Sequence, residues 1–367
     1  MDPLPLAQAL IRCRSVTPAD DGAMGVLEDA LRPMGFATTR LRFGEVENLY
    51  ARRGASGPHL CFAGHLDVVP PGAGWRHGPF DAAVEDGVLY GRGAVDMKGG
   101  VAAFVAACDA LPDRGSVSLL ITGDEEGPAV DGTARVLGWM RARGEVPDMA
   151  LVGEPTSRAR LGDTIKVGRR GSLNAALAVH GTQGHSAYPA RADNPVHRLV
   201  RVLHRLTAAP LDDGTEWFEP STLQVTSADV GNAATNVIPA EARARLNIRF
   251  NDRHTAASLE AMLRAALAED APRHDLAVEC SGEAFLTRPG PFVDALRRAV
   301  RAETGGEPAL DTGGGTSDAR FLAALCPVAE LGAVGTTMHM ADERTPVAEL
   351  RALSRLYARC VAECLTP

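Results

Sequence analysis

Three short runs set the terms on which this chain can fold: HLCFAGH at 59–65, SVSLLITG at 116–123 and DMALVGE at 148–154. Each is almost wholly apolar, and each ends on an ionisable side chain or is followed directly by one. A strand that is apolar on both faces has to be covered on both faces. Helices provide that cover when strands and helices alternate in a parallel sheet. The sequence between the runs supplies the helices. GGVAAFVAACDAL (99–111) reads as a packed helix of small residues, and DGTARVLGWMRARG (131–144) as another. Two more precede them, in PLAQALIRCRS (5–15) and GAMGVLEDALRPMG (22–35). The expected fold class is therefore α/β with a central, mostly parallel sheet, and polar residues at the strand ends mark the place for a site.

The texture changes after Gly171. SLNAALAVHG alternates as a half-exposed strand does, NPVHRLVRVLHRLTA follows as a helix, STLQVTSADVG and EARARLNIRF read as strands, TAASLEAMLRAALAED as a helix and DLAVECSG as a strand. That order, β-α-β-β-α-β, is the order of a small antiparallel α+β domain. The α/β texture returns at 284, with a helix in PFVDALRRAVRAETGG, a strand in PVAELGAVG and a closing helix in PVAELRALSRLYARCVAECL. The expected organisation is one domain over 1–170 and 284–367 with a second, 171–283, inserted into it, which suits a chain of 367 residues.

A formal net charge of −8 argues against nucleic acid or an anionic membrane as partner. No apolar run reaches the 18 residues needed to span a bilayer, and the first residues lack the basic start and apolar core of a secretory signal. Seven cysteines, an odd number with no C-x-x-C pair, read as free thiols in a reducing cytosol. A cytoplasmic location is expected.

The strand ends carry the chemistry. AGHLDVVPPG places His65 and Asp67 two residues apart, where extended backbone points both side chains the same way. The aspartate could orient one imidazole nitrogen while the other binds a metal. An isolated H-x-D is more often a satisfied loop histidine. LYGRGAVDMKGGVAAF places Asp96 in a Gly-rich turn entering a helix, where an aspartate alone would be a helix-start residue. Lys98 among glycines does not make a phosphate loop, because the G-x-x-x-x-G-K-[ST] spacing is missing. TGDEEG supplies Asp124, Glu125 and Glu126, LVGEPTS supplies Glu154, and GTTMHMADE supplies His339. Any one of these taken alone is unremarkable as a solvated end. Together they place imidazoles and carboxylates at four strand ends or turns of one α/β domain and again late in the chain. Two histidines with several carboxylates and no cysteine suit Zn²⁺ or a similar ion at a catalytic site, and a cluster of this size suits two ions roughly 3.5–4 Å apart.

These segments, in this order and over nearly the whole chain, resemble the dinuclear zinc peptidase and deacylase family. The resemblance implies a zinc-peptidase-like catalytic domain with an inserted dimerisation and lid domain, hence a homodimer. It implies two Zn²⁺ per subunit, with Co²⁺ or Mn²⁺ equally suited to the ligands of one site. His65 of GHLD would bind one ion with Asp67 orienting it, Asp96 of GRGAVDMKG would bridge both, and Glu154 of GEPT would complete the first site. Glu126 and His339 would complete the second, and Glu125 would be the general base. His185 of GHSAYP would reach the reacting centre from the partner subunit. The strings TGDEEGPAVDGT, IKVGRRGSL, GTQGHSAYPARADNP, TNVIPAE, LNIRF and DTGGGTSDARF are similar to those of the family's desuccinylases. The implied reaction is hydrolysis of N-succinyl-LL-2,6-diaminopimelate to succinate and LL-2,6-diaminopimelate. That substrate's carboxylates favour arginine, with Arg169 or Arg170 and Arg249 as candidates, and Gly315, Thr316 and Ser317 as further donors. Tyr188 and Asn236 would contribute from the lid. Rival readings are an acetylornithine-type deacetylase or zinc carboxypeptidase of the same family and, from another class, a non-catalytic metal or small-molecule binding protein.

Overall fold

The computed structural model describes residues 1–110 and 115–366 and divides into two compact units. Unit 1 comprises Met1–Val167, Thr287–Asp311 and Ser317–Pro367; unit 2 comprises Gly168–Leu286 and Thr312–Thr316.

Unit 1 is organised by an eight-stranded sheet in the order Ala37–Phe43, Val46–Arg53, Ser116–Thr122, His59–His65, Met149–Val152, Val328–Glu330, Thr164–Lys166, Ala309–Asp311. Its centre is parallel: the strand at 59–65 pairs in parallel with those at 116–122 and 149–152, and the latter in parallel with 328–330. The runs at 59–65 and 116–122 are buried at every position, as their unbroken apolar character demands. The edge differs from a purely parallel sheet, because Ala37–Phe43 and Val46–Arg53 form an antiparallel hairpin whose inner strand pairs antiparallel with 116–122. The helix Lys98–Ala107 has no exposed residue. Its small side chains admit the helix Val347–Cys364, and Phe104 stacks on Phe62 of the sheet at 4.0 Å between ring centroids. A short 3₁₀ turn, Cys108–Ala110, follows, and Leu111 of the expected helix lies outside the described residues.

Register decides where the strand ends fall. His65 is level with Thr122, and Ala63 is level with Val152. The residues just beyond, Asp67, Asp124 to Glu126 and Glu154, therefore emerge at one edge of the sheet.

Unit 2 contains a four-stranded antiparallel sheet in the order Thr222–Asp229, Glu241–Phe250, Gly171–His180, His274–Gly282. The helices Pro195–Thr207 and Ala256–Asp270 lie between those strands in the chain, giving β-α-β-β-α-β apart from short two-residue strands. Alternation assigns the faces. Leu173, Ala175, Leu177 and Val179 join Ala244, Leu246 and Ile248 in a core with Leu199, Val202, Leu259 and Leu263 of the helices. Each helix has a side-chain cap: Asn194 accepts from the N–H of Val196, and Thr255 forms a reciprocal box with Ser258.

Candidate metal centre

The strand ends of unit 1 converge on Asp96. Its Oδ1 lies 3.1 Å from His65 Nε2, and its Oδ2 lies 3.3 Å from His339 Nε2. One carboxylate thus faces both imidazoles, one with each oxygen. His65 Nε2 is also 3.9 Å from Glu154 Oε1, and His339 Nε2 is 2.9 Å from Glu126 Oε1. Two overlapping ligand groups result, His65–Asp96–Glu154 and Asp96–Glu126–His339, with all ligand atoms of each group within 4.8 Å of one another. Glu125 falls in a third such group with His65 and Glu126.

Asp96 does not cap the helix that follows. The cap position is Met97, with no side-chain cap, and the peptide joining the two residues is cis. Its N–H, with those of Gly93 and Val95, is held instead by the buried carboxylate of Glu343, at 3.0, 3.1 and 2.8 Å. His339 sits at φ 62, in the left-handed region that few residues other than glycine adopt.

Asp67 behaves differently from the arrangement expected of H-x-D. The main-chain carbonyl of Asp67 takes His65 Nδ1, at 2.9 Å, while its carboxylate stays 3.7 Å away. That carboxylate accepts the main-chain N–H groups of Glu125 and Glu126 instead, at 3.2 and 3.0 Å. A buried carboxylate gains more from two N–H donors of a tight turn than from one imidazole already satisfied by a carbonyl. The orientation of His65 is the same either way: Nδ1 is engaged and Nε2 faces Asp96. Asp124 is also buried, and its Oδ2 accepts from Val130 and Asp131 at 2.8 and 3.0 Å, tying down the loop after GDEEG.

The electrostatics are those of a site built around cations. Burial pushes the Glu154 carboxyl well above the usual range, with Asp96 and Glu125 adding to the effect. Burial likewise drives Glu125 up to about 8, reinforced by Asp318, Glu126 and Asp96. For Asp96 burial acts in the same direction but is outweighed by the hydrogen bonds from His339 and His65, which hold it well below the usual range. Conversely, contact with Asp96 and Glu126 pushes His339 up to about 10. Glu154 Oε1 is buried without a hydrogen-bond partner, and the carboxylate of Glu125 accepts no hydrogen bond among the described residues. The donor set of imidazole nitrogens and carboxylate oxygens without thiolates fits Zn²⁺, Co²⁺ or Mn²⁺. A divalent ion near the orphaned Glu154 oxygen would satisfy it, and would let both imidazoles act as neutral ligands.

The remaining candidates fall into two sets. In unit 2, His185 lies on a two-residue strand paired with Val237, next to Asn236, whose carbonyl accepts the N–H of Ser186 at 2.9 Å. The exposed ring of Tyr188 is 5.6 Å from that of His185. These three therefore form one group. Arg170 and Arg249 form another: burial and the charge of Arg170 both lower the Arg249 pKa, and Arg249 has no ion-pair partner among the described residues. Arg170 lies 3.7 Å from the carboxylate of Glu219. Arg169 is buried and donates to the carbonyl of Gly315 at 2.8 Å, on the same segment as Thr316. Ser317 belongs to unit 1, where its buried hydroxyl donates to Glu330 Oε1 at 2.6 Å, so it does not present that proton to open space.

Sequence reasoning passed over Arg92, Glu343 and Asp318, all buried. Arg92 and Glu343 were present in the quoted strings GRGAVD and MHMADE, but a charged residue in a loop reads as solvated until its partner across about 250 positions is known. Asp318, which accepts from Thr133 Oγ1 at 2.6 Å, carried no signal beyond its place in TSDARF.

The family model described as peptidase family M20/M25/M40 matches residues 61–363. The succinyl-diaminopimelate desuccinylase of Acidiphilium cryptum is 63% identical over 360 residues, covering 98% of this chain and 97% of that protein. That of Gluconacetobacter diazotrophicus is 62% identical over 365 residues, covering 97% and 95%. Among solved structures, the YXEP protein of Bacillus subtilis, described as a dinuclear metal-binding peptidase, superposes with a TM-score of 0.72 at 16% identity, covering 99% of this chain and 97% of that one. With its parallel sheet, its carboxylate shared between two imidazoles and these likenesses, the chain belongs to the peptidase family M20/M25/M40.

Proposed function

We propose that this chain hydrolyses the amide of N-succinyl-LL-2,6-diaminopimelate, releasing succinate and LL-2,6-diaminopimelate. The observation that carries the reading is Asp96, whose two oxygens face His65 and His339 separately, beside a Glu125 carboxylate that accepts no hydrogen bond among the described residues. The relatives at 62–63% identity, which carry that activity in their names, support the choice of substrate.

His65, Asp96 and Glu154 would hold one Zn²⁺, and Asp96, Glu126 and His339 a second, with Co²⁺ or Mn²⁺ suited to the same ligands. When bound, such ions supply Lewis acidity toward the carbonyl and acidify water. Glu125 takes the proton of the attacking water and returns it to the departing nitrogen. Its burial and its neighbouring carboxylates favour the proton-holding form that this shuttle passes through. Asp67 keeps Glu125 in place through the main chain. His185 donates a hydrogen bond to the carbonyl oxygen as charge develops there, from the inserted unit of a partner subunit in a homodimer. Arg249, without an ion-pair partner among the described residues, and Arg170 receive substrate carboxylates, with Tyr188, Asn236, Gly315 and Thr316 as further contacts. Arg169 acts on the same segment by holding the Gly315 carbonyl, and Ser317 acts through Glu330. On this reading residues 1–170 and 284–367 form the catalytic domain, 171–283 form the dimerisation and lid domain, and the enzyme works in the cytoplasm.

The test is a substrate panel with metal content measured on the same preparation. Release of succinate from the succinyl substrate, with about two divalent ions per subunit, is expected. Efficient release of acetate from acetylornithine without action on the succinyl substrate would sink the assignment.

A further inference from the structure

One buried ion pair in unit 1 stands behind two ligand-bearing loops at once. Arg92 is 2% exposed and Glu343 is fully buried. Arg92 Nη1 donates to Glu343 Oε2 at 2.7 Å. Burying such a pair strips both ions of hydration, which their attraction repays only when further hydrogen bonds satisfy the remaining polar atoms. Both partners have them. Glu343 Oε1 accepts the main-chain N–H groups of Gly93, Val95 and Asp96. The Arg92 fork reaches the carbonyls of His339 and Pro71 at 3.3 Å and of Met340 at 3.4 Å, and its plane lies over Trp75, 5.3 Å from the ring centroid.

The consequences for the two ligand groups are unequal. The turn presenting Asp96 is gathered on Glu343, and the left-handed backbone of His339 is held at its own carbonyl by Arg92. Of the group Asp96–Glu126–His339, two members depend on the pair. Of the group His65–Asp96–Glu154, only Asp96 does; His65 is fixed by its strand and by the Asp67 carbonyl, and Glu154 follows a different strand.

We propose that Arg92 and Glu343 are positioning residues that lock Asp96 and His339 into one mutual geometry, and so set the affinity of the cation position on Asp96, Glu126 and His339 separately from that on His65 and Glu154. The proposal rests on the two-cation reading of the centre. Neither residue belongs to one of the ligand groups. Their effect passes through main-chain groups of the ligand-bearing loops, as partners behind metal ligands do.

The experiment is a calorimetric titration of the metal-free protein with Zn²⁺, repeated with Co²⁺ so that the absorption bands of each bound ion report its ligand field. Wild type, Glu343→Gln and Arg92→Lys are compared. Glu343→Gln is isosteric, keeping an acceptor for the turn but losing the anion that fixes Arg92. Arg92→Lys keeps the charge but not the fork that spans three carbonyls. Wild type is expected to bind in two steps. In each variant one step is expected to lose on the order of 10- to 100-fold in affinity while the other keeps its wild-type value, and the bands of the Co²⁺ bound in the weakened step should shift. Equal weakening of both steps, or no weakening of either, overturns the proposal. So does failure of both variants to fold, which would make the pair a plain structural requirement. A wild type that binds no cation overturns the underlying reading of the centre, which is a distinct result.

Discussion

Asp67 accepts the main-chain N–H of Glu125 at 3.2 Å and, through its other oxygen, that of Glu126 at 3.0 Å. One carboxylate therefore aims both the expected base and an expected ligand. In Asp67→Asn one N–H would meet an amide donor instead of an acceptor. A fall in kcat on the order of 10- to 100-fold is expected, and a larger one for Asp67→Ala, with each unsatisfied N–H also costing about 1–3 kcal/mol of stability. Wild-type kcat in the alanine variant would show that the turn does not need its anchor.

Glu125→Gln should lower turnover at least about 10²–10⁴-fold while leaving metal content unchanged, because its carboxylate accepts no hydrogen bond among the described residues and belongs to neither of the two groups that share Asp96. Metal analysis alongside single-turnover rates separates the two effects. A variant that kept most of its rate would remove Glu125 from the proton path.

Removing metal should destabilise unit 1. The ligand carboxylates crowd one sheet edge, and an ion present at a thousandfold excess over its Kd stabilises the folded state by about 4 kcal/mol. Chelation is therefore expected to lower the melting temperature by several degrees, with recovery on adding Zn²⁺. An unchanged Tm would mean that the cluster holds no ion in solution.

His185 lies in unit 2, on the exposed side of a short strand. His185→Ala is expected to lower kcat on the order of 10²–10³-fold with little change in metal content. If the histidine serves a partner's centre, mixing this variant with Glu125→Gln should regain activity, since a mixed dimer contains one intact combination. Mixtures no more active than their components would argue against a shared site.

A pH dependence of stability resides far from the ligands, at His59. This imidazole is buried with Nε2 2.8 Å from Ser118 Oγ, and burial, aided by Arg52, lowers its pKa from 6.5. The folded state thus binds its proton less readily than the unfolded chain does. Its contribution is complete above about pH 6.5 and is lost as pH falls through and below that value. Thermal melts across that range should show a shallower acid loss for His59→Gln than for wild type; parallel curves would exclude His59 as a source of the slope.

The sequence by itself determined the parallel sheet and the side-chain types that meet at the candidate centre. Apolar runs at 59–65 and 116–122 can be buried only in the middle of a covered sheet, and such strands deliver their ends to one edge. The candidate ligand types were equally legible, because chemistry that suits divalent ions is written in side-chain identity. Tertiary structure alone decided how the pieces are held. The antiparallel edge hairpin depends on pairing of Val46–Arg53 with Ser116–Thr122, a choice among sheet edges that local pattern does not make. That Asp67 serves the backbone of Glu125 and Glu126, while its carbonyl serves His65, follows from the register of neighbouring strands. Arg92 and Glu343 look like two solvated loop charges until the fold brings them to 2.7 Å in a buried place. There the cost of dehydration is met by each other and by main-chain groups that include those of the ligand-bearing loops, and no local pattern in the chain records that long-range match.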